Sequence, residues 1–178
     1  MQVKLISKSV VALEGENKQV MIELNGGEYK GEDPTVLVVS ANQRPGVIYG
    51  PGEYEYDGVG IVGVETRDAK MGLAEIMVIR IDEISVMAVT SQPEEIKKEQ
   101  WDLLGEVDIL LIDKEVQMTG LEKFINRINP YVLAVTNMDA AEAEKSTGLK
   151  VEATDKKFKF MTKDFEVEDP ATRLLILG

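Results

Sequence analysis

The period of the apolar residues changes part-way along this chain, and that change limits the folds open to it. The first half is built of short runs that alternate or stay apolar for four to six residues, each ended by turn residues. Val3–Ile6, Ser9–Leu13 and Lys18–Leu24 read as strands, the last two joined through Glu14-Gly15-Glu16-Asn17 as a hairpin. Val36–Val39 follows Pro34 as a continuous apolar run, the mark of a strand covered on both faces. Gly52–Tyr56 and Val59–Val64 flank Asp57-Gly58, a strong hairpin signal, and Glu75–Ile81 and Ile84–Val89 flank Asp82-Glu83.

From Pro93 the pattern becomes helix then strand, repeated. Pro93–Leu104 reads as a helix closed by Gly105, Thr119–Ile128 as a second ended by Asn129-Pro130, and Met138–Ser146 as a third ended by Thr147-Gly148. Between them lie the apolar runs Val107–Ile112 and Tyr131–Val135, expected, with Val36–Val39, as buried central strands. The tail reads as a strand over Lys157–Phe160, an acidic loop, and a last strand over Arg173–Leu177. Strands running into helix–strand units predict a layered α/β sandwich. With 178 residues and no linker or repeat, residues 1–178 are expected to form one domain.

Function is constrained first by what is missing. The chain has no His and no Cys. A triad needs an imidazole base, a thiol nucleophile needs Cys, and zinc, copper and non-haem iron sites are built mainly from imidazole and thiolate. A formal charge of −12 disfavours nucleic acid and anionic membranes, both of which recruit cationic surfaces. The first eight residues hold no long apolar stretch, and no run approaches the length of a bilayer span, so neither a signal peptide nor a membrane segment is expected. The absence of Cys fits a reducing cytoplasm, the expected location.

The segment Gly50-Pro51-Gly52-Glu53-Tyr54-Glu55-Tyr56-Asp57-Gly58-Val59-Gly60-Ile61-Val62-Gly63-Val64 resembles the G-P-G-E-Y-E signature of the small, UlaG-like branch of metallo-β-lactamase-fold hydrolases. Leu104-Gly105-Glu106-Val107-Asp108-Ile109-Leu110-Leu111-Ile112 resembles that branch's L-G-x-V-D-hydrophobic-L-L-I-P, and Gly148-Leu149-Lys150-Val151-Glu152 its C-terminal tail. The resemblance spans nearly the whole chain. It implies a four-layer αββα sandwich with a metal site at one edge, between the two sheets. It also implies ligand positions, and these do not hold ligands here. The H-x-H-x-D-H motif falls on Ala41, Gln43, Pro45 and Gly46, and the N-terminal G-H-S on Ser7-Lys8-Ser9. The ligand after the hairpin falls near Arg67-Asp68, the H-L-G-D segment on Ala88-Val89-Thr90-Ser91, and the last P-M-H on Ala134-Val135-Thr136. Only Asp68 among these could ligate a metal.

The expectation is a catalytically inactive member of the fold, a pseudoenzyme without metal or other cofactor, acting as a scaffold or interaction protein and assembling as a homo-oligomer. Two alternatives stay open: a metal-dependent hydrolase with unconventional ligands, and a small-ligand binder that uses the emptied pocket. Ser40, Asn42, Gln43, Arg67, Asp68, Thr90, Ser91 and Thr136 are the candidate pocket residues, expected to converge and hydrogen-bond to one another, with Arg67 and Asp68 the charge-assisted pair. Other constellations read more simply as structure. Glu53, Glu55 and Asp57 alternate along one strand as a solvated face, with Tyr54 and Tyr56 on the other side. Asp113-Lys114-Glu115 reads as a solvated loop, and Asp164, Glu166, Glu168 and Asp169 as an acidic surface loop. The glycines near Gly50 open no helix and lack a phosphate-loop pattern. Lys8 with a nearby Ser is expected to be a polar remnant, not a nucleophile.

Overall fold

The structure, a computed structural model, describes residues 1–24, 28–31, 34–39, 47–48, 50–66, 74–89, 96–114, 120–167 and 171–178. Thirteen strands form among these residues, and they divide between two sheets. The smaller holds β1 (Gln2–Ser7), β2 (Val10–Glu14), β3 (Gln19–Glu23), β4 (Val36–Val39) and β12 (Lys157–Lys159), in the order β12-β1-β2-β3-β4. The larger holds β5 (Gly52–Tyr56), β6 (Val59–Thr66), β7 (Ala74–Ile81), β8 (Ile84–Val89), β9 (Ile109–Asp113), β10 (Val132–Thr136), β11 (Val151–Asp155) and β13 (Arg173–Leu177). Its order is β11-β13-β10-β9-β8-β7-β6-β5.

The change of period seen in the sequence is a change of pairing. β5 to β8 are joined by hairpins and pair antiparallel, whereas β8, β9, β10, β13 and β11 all run parallel. Parallel neighbours need crossovers: α1 (Lys98–Leu104) lies in that from β8 to β9, α2 (Leu121–Ile128) in that from β9 to β10, α3 (Ala140–Thr147) follows β10, and the chain passes from β11 to β13 through β12 of the smaller sheet. The first two crossovers step the same way along the sheet, from β8 to β9 to β10. Connections of one hand stepping one way leave their helices on one face. Strands with helices on one side and a second sheet on the other are buried twice. In β9, Ile109 and Leu111 face the inter-sheet core with Leu13, Ile22 and Ile79, while Leu110 and Ile112 face the helices with Val78, Val135 and Ile176. That is why β9 and β10 read as continuous apolar runs.

The helices stop where their sequences say they should. Asp139 caps α3, its carboxylate accepting the Glu142 N–H at 2.8 Å, and Gly148 closes it with φ +73°. Asn129 ends α2 with φ +50°, followed by Pro130. α1 is shorter than Pro93–Leu104: Ile96 and Lys97 lie outside it, and residues 93–95 lie outside the described residues. Gln100 explains the late start. Its Oε1 accepts the Lys97 N–H at 2.8 Å, and its amide donates to the Glu65 carbonyl at 2.6 Å, anchoring the first turn to β6. At the other end, α1 has no basic residue in its last turn. Arg80 of β7 takes that role, donating to the Leu104 carbonyl at 2.8 Å.

The fold class is the expected α/β sandwich, with three differences of detail. Among the described residues all three α-helices lie on the larger sheet; on the outer face of the smaller one, Tyr29 packs over Val10, Ala12 and Met21. β4 is not central: among the described residues it is the terminal strand, paired only with β3. An apolar run reports covered faces and says nothing about lateral neighbours, so the expectation read one property as the other. Third, β11 lay unread in the tail, because Val151–Asp155 carries too few apolar residues to stand out from a loop.

Two contacts lend themselves to tests. A Cβ on Gly63 of β6 would lie 2.5 Å from the Gly50 carbonyl oxygen, because the Gly50-Pro51 turn crosses the strand there. Gly63→Ala should cost about 1–3 kcal/mol in denaturant unfolding, the range for forced backbone shifts. Asp108, just before β9, is half-buried and accepts the Ser85 N–H at 2.7 Å. Desolvation raises its pKa above the usual 3.8 despite that bond, and Glu106 adds to the rise. A raised folded-state pKa stabilises the fold at low pH and loses that contribution as the pH climbs from about 3.8 through the higher folded value. Asp108→Asn keeps an acceptor for Ser85 but removes the titration. The variant's stability relative to the parent should therefore improve between pH 4 and pH 7, as read from urea midpoints across that range.

Candidate functional site

The end of the sandwich implied to hold the site is defined by register. Asp113 of β9 and Thr136 of β10 are cross-strand partners, Val89 of β8 lies beside Ile112, and Thr66 of β6 beside Ala74. These strand ends therefore lie on one end of the larger sheet. In the smaller sheet Glu23 pairs with both Val10 and Val39, which puts the Ser7–Val10 turn and the end of β4 together. One side chain among the described residues joins the two ends. Asn137, just past β10, donates from Nδ2 to the Lys8 carbonyl at 2.5 Å.

Asp113 sits at the centre of this end and is 1% exposed. Its Oδ2 accepts the Thr136 hydroxyl at 2.6 Å and the Asn137 amide at 2.5 Å. A buried carboxylate is costly unless hydrogen-bonded, and donated bonds to an ionised oxygen are the strong kind. Asn137 holds φ +60°, a left-handed conformation that Asn tolerates better than most residues, and this turn aims its amide at both Asp113 and Lys8. Beside it, Lys114 donates its N–H to the Thr136 carbonyl at 3.1 Å, and its Nζ lies 2.7 Å from Glu142 of α3. In the smaller sheet Glu23, also 1% exposed, accepts the Tyr29 N–H at 2.6 Å.

Of the eight candidate pocket residues, Thr136 is described, and it is buried in a hydrogen-bonded network. Ser40, Asn42, Gln43, Arg67, Asp68, Thr90 and Ser91 lie outside the described residues, as do Ala41, Pro45 and Gly46. The strands that lead to them, β4, β6 and β8, end on this end of the molecule. Two residues of the network were missed. Asp113 is not in a solvated loop but is the last, buried residue of β9: the strand set by the preceding apolar run continues through it, and the hydroxyl of its cross-strand partner Thr136 hydrogen-bonds its carboxylate. Asn137 gave no sequence signal beyond being a turn former after a buried strand.

The described residues do not fit the metal pair that the resemblance implies. The chain has no imidazole or thiolate to offer, and Asp113 Oδ2 is already an acceptor for two donors. Among the described residues, no group of three or more acidic side chains could hold a metal ion.

No protein-family model matches the chain, and no curated protein matches it. Solved structures do. A candidate Zn-dependent hydrolase of the metallo-β-lactamase superfamily from Thermotoga maritima superposes with a TM-score of 0.72 at 18% identity, covering 98% of this chain and 96% of its own. The metallo-β-lactamase fold protein YhfI from Bacillus subtilis superposes with a TM-score of 0.59 at 9% identity, covering 98% and 95%. The chain has the metallo-β-lactamase fold. At these identities the likeness carries the fold alone.

The role of Asp113 is open to a stability measurement. A carboxylate kept for chemistry is usually a burden on the fold, so its removal costs little. A carboxylate that satisfies two donors is not. Asp113→Ala leaves the Thr136 hydroxyl and the Asn137 amide without this acceptor and should cost about 1–3 kcal/mol in urea unfolding. Thr136→Val combined with it should be strongly non-additive.

Proposed function

We propose that this chain is a degenerate relative of the UlaG-like hydrolases that has lost the metal-binding histidines and acts as a scaffold or interaction protein in the cytoplasm, binding other protein chains, copies of itself among them. The observation that carries this reading is the Asp113–Thr136–Asn137 network. It stands at the strand ends where the resemblance puts the metal ligands, and it turns a carboxylate inward to hold β9, β10 and the β1–β2 turn together. Three features support it. The chain has no His or Cys. The network bonds are internal, so the group is committed to the fold. The net charge of −12 keeps the protein off polyanions and leaves proteins or cationic ligands as partners. Among the described residues no helix is long and apolar enough to cross a membrane.

The test is metal content and turnover together. Protein purified without chelator should contain far less than one zinc, manganese or iron per chain by elemental analysis. It should not hydrolyse β-lactams, lactones or phosphodiesters above background when those metals are added. One or two tightly bound metals per chain, with turnover that a chelator abolishes, would replace this reading with that of a hydrolase using unconventional ligands.

A further inference from the structure

Among the described residues the larger sheet has an open margin. Among the described residues β5 is its terminal strand, paired only with β6, and Gly52, Glu53, Glu55 and Tyr56 are exposed. A terminal strand presents main-chain donors and acceptors along its free side. Such edges are ordinarily protected by a covering helix or loop, or by charge. Here α1 stops short of the margin. Between α1 and β5 runs an open groove of about 560 Å³, floored by Val62, Gly63 and Val64 and flanked by Leu103. Leu103 is 51% exposed, although it is a large apolar residue on a helix packed against the sheet. An apolar floor beside a strand that is terminal among the described residues is the arrangement that extended peptides occupy when they add a strand to a sheet.

The charges of the margin say what kind of strand. Glu53 is paired with Val62 and so shares its face of the sheet, the helix side; Glu55, two residues on, shares that face too. Glu65 lies at the far end of the groove. The nearest cation in register is Arg80, which stands beyond Gly60 and is engaged by the Leu104 carbonyl. Self-pairing is disfavoured. A second copy of β5 added antiparallel about Tyr54 would set Glu53 of each chain against Glu55 of the other, two like-charge pairs directly opposed. A strand with Lys or Arg at alternate positions would meet the same two carboxylates favourably and lay its intervening apolar side chains along the sheet.

We propose that the β5 edge and the groove beside it form a docking site for an extended basic segment of a partner protein, added antiparallel as a ninth strand of the larger sheet. This rests on the interaction-protein reading and gives it a surface and a partner chemistry. Five residues of β5 set the length of the match at about 17 Å.

The probe is a synthetic peptide of alternating Lys and Val, nine residues long and blocked at both ends, titrated by fluorescence anisotropy. Its copy with every amide N-methylated keeps the charges and side chains but cannot donate to a sheet edge. The unmethylated peptide should bind and the methylated one should bind at least tenfold more weakly. The double variant Glu53→Lys with Glu55→Lys, and separately Leu103→Ser, should each weaken binding by tenfold or more. These side chains are exposed, and unchanged thermal midpoints would show that the fold is intact. Equal binding of both peptides would reduce the site to diffuse charge attraction and overturn the proposal. So would binding that survives the charge reversal, or no binding at all. None of these outcomes bears on metal content or turnover, so the docking site can fail while the interaction-protein reading stands, and the reverse.

Discussion

An eight-stranded sheet whose central strands are apolar on both faces has to be covered twice, and most of this molecule is arranged to do that. β9 and β10 alternate their side chains between the inter-sheet core and the helix layer, so neither face can be left to water. The smaller sheet covers one side. The three helices cover the other, α1 and α2 docked by large residues such as Trp101, Phe124 and Ile128, and α3 by the small buried Ala143. Trp101 and Phe124 meet with ring centroids 5.8 Å apart, and the Arg127 guanidinium stacks 4.4 Å over the Trp101 ring. The helix layer is thus knit to itself across α1 and α2, as well as to the sheet beneath. Burial of this kind is non-directional. It brings the layers together without saying how their ends are to be aligned.

Alignment comes from a few polar contacts at the ends. At one end Asn137 reaches from the larger sheet to the Lys8 carbonyl of the smaller, while holding Asp113 with Thr136. At the other, Asp82 of the β7–β8 turn accepts the Glu16 N–H of the β2–β3 turn at 3.0 Å. The two sheets are pinned at both extremities by side chains on tight turns. In a hydrolase of this fold the first of those ends is where chemistry would be done. Here the same position carries a carboxylate that accepts the Thr136 hydroxyl and the Asn137 amide, bonds that contribute to the fold.

The opposite economy holds at β5. Among the described residues its exposed carboxylates make no ion pair, and its edge is neither capped by a helix nor closed by another strand. Glu53 and Glu55 suffice as protection against pairing with an identical, acidic strand. They offer none against a basic one. A surface that repels copies of itself and is open to its electrostatic complement is selective by charge alone, before any detailed shape is considered.

Much of the fold was legible in the sequence, because period and punctuation are local. The hairpins around Asp57-Gly58 and Asp82-Glu83, the helix stops at Gly105, Asn129 and Gly148, and the apolar runs of β9 and β10 all follow from residue type and spacing. The absence of His and Cys was equally plain, since a missing residue type needs no structure to be counted. What the sequence could not decide is which strand lies beside which. β4 reads like β9 and β10 yet is terminal among the described residues, because covered faces and lateral neighbours leave different traces and only the first is written in hydropathy. β11 and β12 are nearly consecutive yet belong to different sheets, β12 pairing with β1 while β13 enters between β10 and β11. Asp113 was mistaken for a loop residue because a buried carboxylate is recognised only by its partners, and Asn137 stands beside it by virtue of the β10 turn. Such pairings depend on contacts between residues far apart along the chain, and only folding in three dimensions brings those residues together.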